Sequence, residues 1–398
     1  MATTCRRGMA IFTVFAKEVR ENLRDRRTLI SAFVTGPLLG PLLFVLLVGV
    51  MVNQQVDKAE QPLPVPVIGA QYAPHVIDAL KAGGIVPKPA VESPELTVRK
   101  QDADVVVRIS ADYPEAWRKG EPVQVEVFFD SSRRDAATSV GRVTQLIENY
   151  ARQQGAMRLV ARGLSPTLAT PVVVAQRDQA TAQSRAVLLF NMLPYFFVLT
   201  IIMGGMYLAI DLTAGERERQ SLEPLFANPV PRWQILTGKL LAIAVFSAAS
   251  LLLCLLAFAV AGRFVPADKL GMEVDLGWHF AEFVLLLQLP MVALFAALQS
   301  LVAAFAKSFR EAQTYLSLLM MVPIIPSVLL MVLPVRPRGW MYLVPLLGQH
   351  LGILDLLRGN DIGVGHLVFC LLGTTMAALL AIAVTMQLYR SEKLAISA

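Results

Sequence analysis

The chain has 398 residues, of which 55% are hydrophobic and only 17% charged, with a mean hydropathy of +0.55. Soluble globular domains carry about a quarter charged residues, so the composition excludes an ordinary soluble protein. The net charge of +6 is no nucleic-acid signal, because much of it lies in residues 1–27, where seven Lys/Arg face three acids.

Residues 1–27 read as a cytoplasmic amphipathic helix. Ile11, Phe12, Phe15, Val19 and Leu23 recur at helical spacing, and Lys17, Glu18, Arg20, Glu21, Arg24 and Arg27 fill the other faces. Positive charge beside a first span marks the cytoplasmic side, so this helix is either a topology anchor or a docking surface for a partner. A bilayer core about 30 Å thick needs about 20 apolar residues to cross it. Six stretches qualify: about 28–52, 186–210, 240–262, 280–305, 314–334 and 366–388. The first is too long for a signal-peptide core and reads as a retained anchor. Its Gly36-Pro37-Leu38-Leu39-Gly40 has small-xxx-small spacing, which fits close helix approach, while Pro37 and Pro41 fit a kink.

Residues 53–185 carry 16 Lys/Arg and 15 Asp/Glu, so a folded polar domain stands between the first two spans. It has no cysteine and folds without disulfides even if exported; the three cysteines are Cys5, Cys254 and Cys370. Expected strands are Val65–Ile68, Ala103–Ile109, Val123–Phe129 and Val172–Val174. Expected helices are Pro74–Lys81, Tyr113–Lys119 and a long one over Ala136–Ala161. The alternation predicts a small α/β sandwich. Asp130, Arg133, Arg134 and Asp135 read as a solvated turn.

The fold class is therefore an integral membrane α-helical protein, with six transmembrane helices and a large extracytoplasmic α/β domain inserted between helices one and two. Residues 186–388 hold transmembrane helices 2–6, with an inside loop at 211–239, and 389–398 form a cytoplasmic tail. Residues 340–358, amphipathic and rimmed by Trp340 and Tyr342, read as outer-leaflet helices.

Catalytic chemistry is missing. Gly238-Lys239 is followed by Leu240 where a phosphate-binding loop has Ser or Thr. The four histidines, His75, His279, His350 and His366, are not at metal-ligand spacing, so no catalytic, cofactor or metal residue is assigned. The main polar side chains within spans are Asn191, Gln288 and Gln299; no buried carboxylate marks an ion path. A membrane machine without a nucleotide site needs an external energy source. The inside loop, with Glu216, Arg217, Glu218, Arg219 and Glu223, is either a docking surface for it or a solvated charged loop.

The segment Gly215-Glu216-Arg217-Glu218-Arg219-Gln220-Ser221-Leu222-Glu223-Pro224-Leu225, continuing to Pro229-Val230 and closing on Gly238-Lys239, resembles the inside loop of type-2 ABC exporter permeases. Lys17-Glu18-Val19-Arg20-Glu21 with Leu23-Arg24-Asp25-Arg26-Arg27 is similar to that family's N-terminal amphipathic helix, and Val344 to Gly359 to its outer-leaflet helices. The likeness covers nearly the whole chain and is greatest to sodium-efflux permeases of the NatB type. It departs at Gln220, where Gly or Arg is usual, and at Pro224, which is expected to end a helix begun at Gly215.

The resemblance implies a permease subunit, itself no enzyme, in the cell (inner) membrane with both termini cytoplasmic. ATP and Mg would sit on a separate cytoplasmic ABC ATPase, and a second permease chain would complete the path. ATPase coupling falls to Glu216, Arg217, Glu218, Arg219, Ser221, Leu222, Glu223 and Leu225, together with Lys17, Glu18, Arg20, Arg24, Asp25 and Arg26 of the N-terminal helix. Sodium is the cargo by subfamily likeness, with a drug, peptide or lipid as alternatives. A reading of another class is an envelope receptor or assembly protein acting through the outer domain.

Overall fold

The structure is a computed structural model that describes residues 2–133, 136–169, 181–183, 187, 190–221, 224, 230–264, 276–333 and 336–390. The chain divides into two compact units, residues 50–178 and residues 1–49 with 179–398. Expected positions 134, 135, 172–174, 222, 223, 225 and 391–398 lie outside the described residues.

Helix α1 (Ala2–Asn22) stops earlier than the sequence pattern predicts, and α2 (Arg26–Ile30) starts after a break. The cause is Asp25, whose carboxylate accepts from Arg27 N at 3.1 Å and from the Thr28 hydroxyl at 2.8 Å. A capped N-terminus begins a new helix and cannot continue the old one. A π turn (Ser31–Thr35) then leads into α3 (Gly36–Glu60). In that turn Gly36 N donates to Ser31 O, and the next donor in register would be Pro37, which has no N–H. Ser250 supplies the missing donor to Ala32 O at 2.6 Å. The glycines of the small-xxx-small pattern pack within the chain: a Cβ at Gly36 would lie 3.1 Å from Met203 Cβ, and one at Gly40 3.0 Å from the Phe196 ring.

The α/β unit contains β1 (Leu63–Ile68), α4 (Pro74–Ala82), β2 (Ile85–Lys88), α5 (Pro94–Arg99), β3 (Val105–Ile109), α6 (Tyr113–Lys119), β4 (Val125–Phe129) and α7 (Ala137–Ala161). Its sheet runs β2-β1-β3-β4, with β1 parallel to both neighbours and β4 antiparallel to β3. Strand β2 and helix α5 are absent from the sequence expectation. Ile85-Val86-Pro87-Lys88 is short and holds a proline, which an edge strand tolerates. Pro64 and Pro66 sit where β1 pairs with β2 alone, since β3 joins only at Val67 and Ile68. The core gathers Val65, Val67, Val76, Leu80, Val105, Val107 and Val143.

The other unit continues with α8 (Leu193–Ile210), a second π turn (Asp211–Gly215) and a helical turn (Glu216–Glu218). It is completed by α9 (Arg232–Gly262), α10 (Trp278–Phe305), α11 (Phe309–Leu319), α12 (Ile324–Val332), α13 (Leu347–Leu357) and α14 (Val364–Arg390). Six helices are long and apolar enough to cross a membrane, beginning at Arg26, Leu193, Arg232, Trp278, Phe309 and Val364. Helix α8 is the axis of the bundle; Phe197, Ile201, Ile202 and Leu208 on it are fully buried. Leu42 on α3 and Met376 on α14 are instead exposed apolar side chains, the surface a lipid solvent requires.

Three spans differ from expectation at their ends. The second runs on past Ile210 through the π turn to Glu218. The third begins at Arg232, not near 240, because Lys239 is buried within the bundle. The fifth begins at Phe309 under a cap from Ser308, whose hydroxyl accepts from Glu311 N at 3.3 Å. It is interrupted at Met320–Pro323, where Pro323 has no donor and the backbone takes i to i+3 bonds such as Val322 N to Leu319 O.

Candidate coupling site

Helix α1 crosses the start of α9 in backbone contact. A Cβ at Gly238 would lie 2.9 Å from Ile11 O and 2.9 Å from Val14 Cβ, so only glycine admits the approach without displacement. That contact brings the adjacent Lys239 under α1 and against the turn that follows α8. Lys239 is 2% exposed, donates to Leu212 O at 2.9 Å, and forms an ion pair with the carboxylate of Glu216. Glu216 is itself buried, as are Glu18 and Asn22 of α1 and Tyr389 at the end of α14.

The electrostatics follow from two carboxylates sharing one buried ammonium. Burial pushes the Glu18 carboxyl above the ordinary carboxylate range, against the opposing pull of Lys239 and Lys17. Burial would lower Lys17, yet Glu18, Glu21 and Glu216 together raise it above its ordinary value. Lys17 stands 3.4 Å from Glu18 and 3.5 Å from Glu21. Asn22 ties the same turn of α1 by donating to Glu18 O at 3.0 Å.

The remaining loop residues each secure a neighbouring helix end. Arg217 donates to Ala306 O at 3.3 Å, at the C-terminus of α10. Glu218 accepts from Phe309 N at 2.8 Å, at the first residue of α11. Arg219 pairs with Asp211 at 2.5 Å. Ser221 closes the turn by donating to Glu216 O from both N, at 2.9 Å, and Oγ, at 3.1 Å. The turn ends at Gln220, whose φ of 56° is left-handed, and not at Pro224 as the sequence pattern implies. A left-handed backbone is one that glycine adopts at little cost and glutamine at more.

Sequence-predicted residues thus occupy different settings, with Arg217 and Ser221 spent on the bonds just described. Glu18 and Glu216 meet around Lys239. Asp25, Glu218 and Arg219 line a cavity of ≈ 470 Å³ between the α1–α2 break and the loop, together with Tyr207 and Phe309. Lys17, Arg20, Arg24 and Arg26 are exposed on the N-terminal helices. Leu222, Glu223 and Leu225 lie outside the described residues. Lys239 is the member that sequence reasoning left out of the site; its signal was the Gly-Lys pair itself.

Six helices long and apolar enough to cross a membrane, with a charged loop locked into their bundle, fit the architecture of a transport permease. The profile of the ABC-2 family transporter proteins matches residues 33–387, and the chain belongs to that family. It is a multi-pass membrane protein and an ABC transporter permease. It is 25% identical over 353 residues to the ABC transporter permease protein NatB of Bacillus subtilis (strain 168), covering 87% of this chain and 89% of the relative.

Proposed function

We propose that this chain is the membrane subunit of an ATP-driven exporter, and that a separate cytoplasmic ABC ATPase acts on it through residues 216–225 and the N-terminal helix. The carrying observation is the buried pair of Glu216 and Lys239, which joins the loop to α9 beneath α1. A force on the loop then moves α8, α9 and α1 together, because separating a buried ion pair costs about 3–5 kcal/mol. The exposed Arg20, Arg24 and Arg26 beside the loop's exposed Glu218 and Arg219 offer charge to a partner surface.

In this reading the loop and both termini face the cytoplasm of the inner membrane, residues 53–185 face outward, and a second permease chain completes the path. ATP and Mg belong to the ATPase partner. Sodium is the favoured cargo by likeness to NatB-type permeases; a drug, peptide or lipid cargo uses the same architecture. The test is purification of the tagged chain from its native membrane in mild detergent, with mass spectrometry and an ATPase assay. A stoichiometric ATPase whose activity is uncoupled by Glu218→Lys supports the reading. An eluate without ATPase, carrying an envelope protein instead, refutes it. Sodium efflux from reconstituted vesicles, absent or present, decides the cargo.

A further inference from the structure

The α/β unit has a feature apart from the candidate coupling site. Strand β1 feeds α4 and β2 on one side, and the chain then crosses to β3 on the other side. The carboxyl ends of β1 and β3 therefore lie at a topological switch point, where connecting segments diverge and leave a crevice. A cavity of ≈ 470 Å³ occupies that place, lined among others by Gly69, Tyr72, Arg108, Ser110, Gln124 and Glu126. Its size suits a small ligand. Gly69 makes room for it: with φ at 78° the chain turns sharply off β1, and a Cβ there would lie 2.3 Å from Ile109 O.

We propose that this crevice binds a zwitterionic ligand, a free α-amino acid or a short peptide with both termini uncapped. Arg108 and Glu126 are cross-strand partners, and Arg108 Nε donates to Glu126 Oε2 at 2.5 Å. Phe128 lies under the guanidinium, 4.7 Å from its carbon, and fixes its plane. Among the described residues the two Nη groups of Arg108 donate to no protein acceptor, and Glu126 Oε1 accepts from no protein donor. The side chains are 41% and 39% exposed, so both edges are open to a ligand. The guanidinium fork takes a carboxylate in two parallel bonds, and the open Glu126 oxygen takes an ammonium. One positive and one negative group match a zwitterion. A dianion such as phosphate would leave charge uncompensated beside Glu126. Gln124 and Ser110 add donors and acceptors suited to an amide or a peptide bond.

The test uses the full-length chain in detergent, titrated calorimetrically with glutamine and with trialanine, each also as its N-acetyl and C-terminal amide forms. Expected is binding of at least one free zwitterion, weakened about tenfold or more by either cap. Arg108→Gln should abolish it. Arg108→Lys, which keeps the charge and the Glu126 pair but loses the fork, should weaken it without loss of folding. Arg108→Gln with Glu126→Gln controls for an unpaired carboxylate and should also not bind. No binding of either free probe overturns the proposal. So does binding that survives both caps, or that is unchanged in a folded Arg108→Lys protein. The outcome is independent of ATPase coupling and of the exported cargo.

Discussion

Replacing Lys239 by Met removes the ammonium and keeps most of the side-chain volume. The carboxylate of Glu216, only 8% exposed as a residue, loses its counter-charge, and Leu212 O loses a donor at 2.9 Å. Breaking a buried pair from one side costs about 3–5 kcal/mol, because the remaining charge stays desolvated. The lost hydrogen bond belongs to the same network and is not added separately. Removing both partners, as Glu216→Leu with Lys239→Met, should recover most of that loss, since Glu216 no longer leaves a desolvated charge; the remainder is buried Glu18, which keeps Lys17 but loses the pull of Lys239. Equilibrium denaturation of the detergent-solubilised chain measures all four corners of the cycle. A Lys239→Met protein within about 0.5 kcal/mol of the parent refutes the reasoning. A double variant no more stable than the single does so as well. On the proposed function the double variant also separates structure from coupling: if it folds, binds the proposed ATPase partner and still couples hydrolysis to transport, the pair is a structural lock only.

Three further outcomes follow from the same geometry. Gly238→Val should displace α1, because its Cβ would lie 2.9 Å from Ile11 O; a cost of about 1–3 kcal/mol is expected, read as faster trypsin cleavage after Arg20 and Arg24. Glu18→Gln should stabilise the protein at neutral pH. The folded state holds the Glu18 proton more tightly than the unfolded state does, so stability falls as pH rises from the ordinary carboxylate value through the raised one; denaturation series across that window should be flatter in the variant. Ser250→Ala should leave Ala32 O without its donor inside the bundle and cost about 1–3 kcal/mol in denaturation.

Long-range pattern was legible in the sequence; features fixed by three-dimensional partners were not. The six apolar segments and the charged block between the first two follow from hydropathy alone, because lipid leaves a backbone few choices. Helices α4, α6 and α7 match expectation within about one residue, since Pro74, Pro114 and the long apolar stripe mark them locally. Strand β2 escaped notice because four residues with a proline carry no periodicity; its place is set by pairing with β1. The two π turns are invisible for the same reason. One is completed by Ser250, which lies more than two hundred positions away along the chain.

The candidate coupling site divides along this line. Charge density identified the loop, but it could not distinguish a solvated Glu218 from a buried Glu216, two positions apart on one turn. What separates them is which face meets α9. That face is chosen by Gly238, because glycine lets α1 close over α9 and places the next residue, Lys239, beneath it. The Gly-Lys pair is thus one device with two parts: a missing side chain that permits contact, and a long charged one that fastens the loop across it. A larger residue at 238 would move α1, and with it Glu18, away from the ammonium. The same substitution would therefore alter packing and electrostatics together, which ties the N-terminal helix and the loop into a single mechanical element.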